Sequence, residues 1–318
     1  MNTRKAVLVT GAFGNLGQMV LAALKQRGYC LMAMDLDTPA NRKVAVQLTA
    51  LCDEVVWGDL RTVAFKPLLP AVCAVVHLGA ILPPVTDTAP ALAHDVNVKA
   101  TLRLLDDIER SANKPLLVYP SSVTVFGYPE PAQKLMRTDD PVAPSDNYTR
   151  HKVQIERCLA ASAIPWCVLR IGVSVDSRTL GADLSMLRRL FRVSPDNPLE
   201  YVHPRDVATA VANCIATPRA VGKIFLIGGG GDCRITQHQF LSAAINALGI
   251  SLPRNMLGTE RFYTSWMDTA EAQDILRFQK HSFADYQQDL RQRLRSLRWI
   301  TAPLAPLVLW AMRRILRG

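Results

Sequence analysis

Short apolar runs separated by helix-length stretches of mixed polarity dominate the first half of the chain. The runs are "AVLVT" (6–10), "CLMAMD" (30–35), "EVVWGD" (54–59), "AVVHLGA" (74–80), "PLLVYPSS" (115–122) and "WCVLRIG" (166–172). They are rich in Val, Leu and Ile and do not alternate with polar residues, as expected of parallel strands covered on both faces. Between them, "LGQMVLAALKQRG" and the segments 91–112 and 149–163 carry helical spacing. Strands alternating with helices predict an α/β protein with a doubly wound parallel sheet. Further on, the pattern predicts a helix from Asp206, which reads as its N-terminal cap, a strand at "KIFLIGG", and helices over 236–248, 269–278 and 283–298. Segments 173–200 and 232–265 are punctuated by Pro and Gly and read as irregular.

At 318 residues the chain is long enough for one large or two ordinary domains. Hydrophobic content of 49% with 20% charged residues describes a globular protein. The start, "MNTRKAVLVTG", has an apolar stretch too short for a secretory signal, and the seven cysteines are scattered without a C-x-x-C pair. Reduced thiols in a cytoplasmic protein, with no metal site, are the expectation. The net charge of +10 is concentrated: residues 290–318 hold seven arginines and no acid. The near-neutral body argues against a nucleic-acid partner.

"TGAFGNLG" (10–17) directly follows the first strand and opens a helix. Glycines 11, 14 and 17 permit a tight turn and close backbone approach to a pyrophosphate at the helix N-terminus, although the spacing is G-x-x-G-x-x-G. Asp35 ends the second strand 18 residues past Gly17, where a carboxylate can accept hydrogen bonds from an adenosine ribose. A carboxylate there favours NAD over NADP; Arg42 and Lys43, nearby, leave NADP open. Asp59 is placed to sit beside adenine or simply to form a turn. Tyr148 and Lys152 stand four residues apart, on one face of a helix. A phenol has a pKa near 10, and a neighbouring ammonium is expected to lower it toward a working acid/base.

These motifs, with "GDL", "HLGA" (77–80), "VNVKAT" (96–101), "SSVTVFG" (121–127), "LRIGV" (169–173), "YVHPRDVATA" (201–210) and "SWMDTAEAQDILRFQKHSFADY" (265–286), occur in a familiar order. Over roughly residues 5–290 the sequence resembles the extended short-chain dehydrogenase/reductases, also called NAD-dependent epimerase/dehydratases. The resemblance implies a Rossmann-type core at 1–172, joined by 201–228, and a small substrate-binding cap from 173–200 and 229–290. It implies Tyr148 as acid/base, Lys152 holding the nicotinamide ribose, and Ser122, rather than Ser121, bonding the substrate oxygen. The cofactor NAD would meet Gly11, Phe13, Gly14, Asn15, Leu16, Gly17, Asp35, Asp59, Leu60, Leu78, Gly79, Ala80, Tyr148, Lys152 and Val173. Asn97 would help shape the site, whereas His77 and His203 read as structural. A homodimer through 91–112 and 149–163 is implied as well.

Some relatives that dehydrate nucleotide sugars carry Asp-Glu where this chain has Val123 and Thr124, so dehydration is not expected. Only 28 residues, 173–200, separate "LRIG" from "YVHPRD", short for a nucleotide-sugar site. Arg178, Arg188, Arg189 and Arg192 read as a solvated helix face that could alternatively bind an anion. The expected activity is therefore interconversion of a secondary alcohol and a ketone on a small or lipophilic substrate. A nucleotide-sugar epimerase with tightly held NAD is the alternative, and a non-catalytic dinucleotide sensor is disfavoured by retention of Tyr148 and Lys152. In the tail, 291–318, an apolar stripe of Tyr286, Leu290, Leu294 and Leu297 leads into "WITAPLAPLVLWAM" (299–312). Fourteen residues interrupted by Pro303 and Pro306 fall short of the about 20 needed to span a bilayer. Interfacial contact with the inner membrane surface and packing on protein are both open readings.

Overall fold

The computed structural model describes residues 6–130, 134–176 and 184–317. Its main sheet has seven parallel strands: β1 (Ala6–Thr10), β2 (Cys30–Asp35), β3 (Glu54–Trp57), β4 (Val72–His77), β5 (Leu116–Ser122), β6 (Trp166–Ile171) and, beyond β7 (Pro198–Glu200), β8 (Lys223–Ile227). The order is β3-β2-β1-β4-β5-β6-β8. The chain thus leaves β1 in one direction and returns to β4 in the other, and a crevice opens at that reversal above the carboxyl ends of the strands. β7 pairs antiparallel with β9 (Arg234–Thr236) in a separate two-stranded ribbon.

The early helices are α1 (Asn15–Gln26), α2 (Pro39–Gln47), α3 (Val85–Thr88), α4 (Pro90–His94), α5 (Thr101–Arg110) and α6 (Asn147–Ala161). They are followed by α7 (Leu184–Arg192), α8 (Pro204–Ala216), α9 (Gln237–Ala247), α10 (Ala270–Leu276), α11 (Phe283–Arg293), α12 (Arg295–Thr301) and α13 (Ala305–Arg317). Val20, Leu21 and Leu24 of α1, Val207 and Val211 of α8 and Ile275 of α10 cover one face of the sheet. Leu104 and Ile108 of α5 with Ile155 and Leu159 of α6 cover the other. Both faces being dry explains why the strands read as unbroken apolar runs. A third core, around Phe191, Leu199, Tyr201, Phe240 and Tyr286, lies outside the sheet and knits α7, α9, α11 and the ribbon together.

Several sequence expectations shift. The segment expected as a helix over 91–112 passes through a π-helical stretch, Asp95–Ala100, which carries Asn97. The segments 173–200 and 232–265 are not wholly irregular, since they supply α7, β7, β9 and α9. The helix expected over 283–298 stops at Leu294, which caps α11, before α12 starts anew. The apolar stripe fares accordingly: Tyr286 and Leu290 are buried, whereas Leu297 is 48% exposed.

Asp206 is not the N-cap of its helix. His203 takes that place, its ring nitrogen accepting from the Arg205 amide at 3.2 Å, with Pro204 opening the helix. Asp206 lies in the first turn, where its buried carboxylate accepts the amides of Lys280 and His281 and meets the His281 ring at 2.6 Å. It therefore clamps a distant loop. His77 is structural, as expected: its two nitrogens meet the hydroxyls of Thr10 at 2.9 Å and Thr101 at 3.0 Å. Burial lowers its pKa to about 3, which keeps the ring neutral.

Candidate active site

A cleft of about 720 Å³ occupies the crevice. Its floor is the glycine turn. Gly11 holds a positive φ of 66°, and a side chain there would meet the Gly79 amide of the neighbouring strand end at 2.8 Å. A Cβ on Gly17 would fall 2.3 Å from the Gly11 carbonyl oxygen, so only glycine lets α1 sit down on the turn. Gly14 caps α1 without any side-chain acceptor, and the first turn carries no acid. Free N–H groups and the positive end of the helix dipole consequently face the cleft, a cradle that fits a pyrophosphate.

Asp35 closes the far end. One carboxylate oxygen accepts the Phe13 amide at 2.9 Å; the other accepts the Leu36 amide at 2.8 Å and the Asn41 side chain at 3.1 Å. These bonds orient the carboxylate at the cleft wall and lock the glycine turn to β2. Arg42, whose proximity kept NADP open, is turned aside: it pairs with Asp37 at 2.7 Å and lies 5.2 Å over the Trp57 ring. Asp59 behaves as a turn former, accepting the Arg61 amide and guanidinium, and that pairing holds its carboxyl below the usual range. It lines the cleft together with Leu60, Leu78, Gly79, Ala80, Asn15 and Leu16. Phe13 and Val173 do not line it. Phe13 is buried against Trp57 and contributes its amide to Asp35; Val173 pairs with Tyr201 and packs toward the cap core.

Ser122, Tyr148 and Lys152 line the same cleft. Asp146 caps α6 in a capping box with Thr149, which fixes the first turn and hence Tyr148. Both serines line the cleft, but their hydrogen bonds differ. Ser121 is buried and bonded to Glu156 at 2.5 Å, and Glu156 is paired with buried Arg170 at 2.8 Å. Ser122 remains at the cleft, its oxygen 2.8 Å from the Thr124 hydroxyl and accepting the Thr124 amide at 3.3 Å. Asn97 does not reach into the reaction space. Its amide bonds both the amide (2.7 Å) and the carbonyl (2.8 Å) of Ile81, pinning the loop that forms the cleft wall.

The electrostatics of the tyrosine–lysine pair differ from expectation. Lys152 is buried, donates to the Pro120 carbonyl at 2.7 Å, and its nitrogen stands 5.6 Å from the Tyr148 ring centre. Loss of water lowers the Lys152 pKa to about 8, with Glu156 opposing. The Tyr148 phenol is pushed up, not down: burial dominates and Asp146 adds to it. The ammonium, engaged by the Pro120 carbonyl, does not reverse the sign. Sequence reasoning also missed Glu156 and the Pro120 carbonyl. Glu156 was visible as the next four-residue step along the helix face after Lys152.

Two of the cap arginines read as a solvated face are engaged by protein groups. Arg188 donates to the Ile315 carbonyl at 3.0 Å, and Arg189 donates to the Tyr263 hydroxyl at 2.8 Å, which in turn bonds Asp146. Arg192 is exposed, and Arg178 lies outside the described residues.

Residues 7–173 match the model of the NAD dependent epimerase/dehydratase family. The chain is 26% identical over 240 residues to D-erythronate dehydrogenase of Cupriavidus necator, covering 66% of this chain and 71% of that one. Among solved structures it resembles UDP-glucuronic acid 4-epimerase from Bacillus cereus, with TM-score 0.77, 20% identity and coverage of 92% and 99%. UDP-glucose-4-epimerase from Stenotrophomonas maltophila gives TM-score 0.76, 19% identity and coverage of 95% and 100%. At such identity the structural likeness is one of fold. The family match spans more than half the chain, and its order of motifs coincides with the cleft just described: the chain belongs to the NAD dependent epimerase/dehydratase family.

Proposed function

We propose that the protein is an NAD(H)-dependent oxidoreductase that interconverts a secondary alcohol and a ketone on a small or lipophilic substrate. The observation that carries this reading is the convergence of Ser122, Tyr148 and Lys152 on the cleft floored by the glycine turn. The turn and the first amides of α1 would hold the pyrophosphate, Asp35 the adenosine ribose, and Lys152 the nicotinamide ribose. When bound, the cofactor supplies the hydride donor or acceptor. The chain's own residues manage the proton. Ser122 accepts from the Thr124 amide and shares a 2.8 Å hydrogen bond with the Thr124 hydroxyl; with Thr124 as donor in that bond, the Ser122 proton is directed to a substrate oxygen. Tyr148 gives or takes the proton at its phenolic oxygen. A phenol is protonated at neutral pH, the form required to reduce a carbonyl, and burial makes Tyr148 hold that proton more tightly. Ile81, Leu82, Leu92 and Val96 make the adjoining wall apolar, which suits a lipophilic substrate.

The second reading, epimerisation of a nucleotide sugar, draws on the fold neighbours. The engagement of Arg188 and Arg189 by protein groups weighs against it, because both are withdrawn from a diphosphate. A panel of ketones with external NADH or NADPH tests the proposal: steady turnover with NADH supports it. Stoichiometric NAD released on denaturation, with no turnover of external NADH, refutes it in favour of the epimerase. Tyr148→Phe should lower kcat by about 10²–10⁴-fold while NAD still binds; unchanged turnover eliminates Tyr148 as the acid. The homodimer through 91–112 and 149–163 belongs to the same proposal, and a sedimentation mass of one chain removes it.

A further inference from the structure

The carboxyl-terminal helices fold back on the cap and leave one side bare. Thr301 donates to the Leu248 carbonyl at 2.6 Å, and Arg188 reaches the Ile315 carbonyl. Met312 and Leu316, four residues apart on α13, pack toward the cap core. The opposite side of α13 presents Leu307, Trp310 and Arg314 at three- and four-residue steps. Trp299 is 80% exposed, Ile300 64%, Leu307 59% and Trp310 58%. Isolated exposed leucines need no explanation, whereas large apolar residues concentrated on one pair of helices mark a contact surface.

Charge identifies what it contacts. Arg291, Arg293, Arg295, Arg298, Arg313 and Arg314 are all exposed, and residues 290–318 contain no acid. The nearest acids upstream are engaged elsewhere: Asp285 with Ser282, and Asp289 with Arg205 and His203. Arg314 lies 5.7 Å over the Trp310 ring, so a cation and an indole are presented together. Nucleic acid would satisfy the arginines but leave Ile300, Leu304 and Leu307 in water. A second copy of this face would set arginine against arginine. No described helix is long and apolar enough to cross a membrane. We infer that this face of α12 and α13 lies flat on an anionic phospholipid bilayer, with Trp299 and Trp310 at the headgroup–acyl boundary and the arginines on lipid phosphates.

The test uses the full-length protein with phosphatidylcholine vesicles made with and without phosphatidylglycerol. Flotation should occur with the anionic vesicles only, with a blue shift of tryptophan emission, and should weaken as salt screens the arginines. Trp299→Ser combined with Trp310→Ser should weaken binding at least tenfold. Each of Arg313→Gln and Arg314→Gln should cost about fivefold. Retained NAD binding in these variants, all at exposed positions, establishes that they are folded. Failure of the full-length protein to float with anionic vesicles overturns the inference, as does undiminished flotation of the folded double tryptophan variant. A self-associated form that the tryptophan changes dissociate, without vesicle binding, overturns it in favour of a second copy.

Discussion

Lys152 offers a measurement that needs no substrate. The residue is 6% exposed, and its ammonium donates to the Pro120 carbonyl at 2.7 Å and sits 4.5 Å from the centre of the Tyr119 ring. Burial lowers its pKa from the ordinary 10.5 to about 8. Between those values the unfolded chain holds a proton that the folded one has given up. Stability therefore rises with pH across that window and falls as pH drops through the folded pKa. At about 1.4 kcal/mol per unit, the interval between 8 and 10.5 corresponds to about 3 kcal/mol of cost at neutral pH. Lys152→Met keeps the length of the side chain and removes the charge. Tyrosines and cysteines that titrate in the same range are common to both proteins and cancel in the comparison. Urea unfolding of the cofactor-free proteins at about pH 7.5 and about pH 9.5 should show wild type gaining about 2 kcal/mol on the variant. Parallel stability curves over that window would refute the claim that a charged Lys152 is buried at cost. A gap that widened in the opposite direction would mean that the site stabilises the ammonium.

Four further substitutions probe the cleft and the residues that support it. Ser122→Ala should reduce kcat by about 10²-fold, the scale of losing one donor at a developing oxyanion, with little change in unfolding; Ser121→Ala should instead destabilise, because it strips Glu156 of a 2.5 Å hydrogen bond. Gly17→Ala should weaken NAD about tenfold or more in a fluorescence titration, since the added carbon must displace the Gly11 carbonyl oxygen from 2.3 Å. Glu156→Gln leaves buried Arg170 without its counter-charge and should cost about 3–5 kcal/mol in urea unfolding.

What could be read from sequence was local or doubly buried. The parallel strands have apolar neighbours on both faces, so their runs stand out without any knowledge of tertiary structure. The glycine turn was legible because each of Gly11 and Gly17 answers a steric demand set within a few residues or by one adjacent strand end. Partners far away in sequence were not. Asp206 looks like a helix cap beside "HP", yet its carboxylate serves backbone amides at Lys280 and His281. Arg188 and Arg189 looked solvated because nothing near them announces Ile315 or Tyr263. The break at Leu294 is equally silent, as no Pro or Gly marks it; the tail turns there because Met312 and Leu316 find the cap core.

The tyrosine–lysine pair shows why spacing and electrostatics must be argued separately. Four residues along a helix do bring the two side chains to one face, and both line the cleft. Whether the ammonium lowers the phenol depends on distance and on water. Bonded to the Pro120 carbonyl, Lys152 does not offset the desolvation that raises Tyr148. Lys152 itself is near the midpoint of its own titration at about pH 8, so its charge is least dependable where an alkaline alcohol oxidation would call on it. In the cofactor-free site the phenol therefore holds its proton more tightly than a free tyrosine does, a consequence of burial that no four-residue pattern encodes.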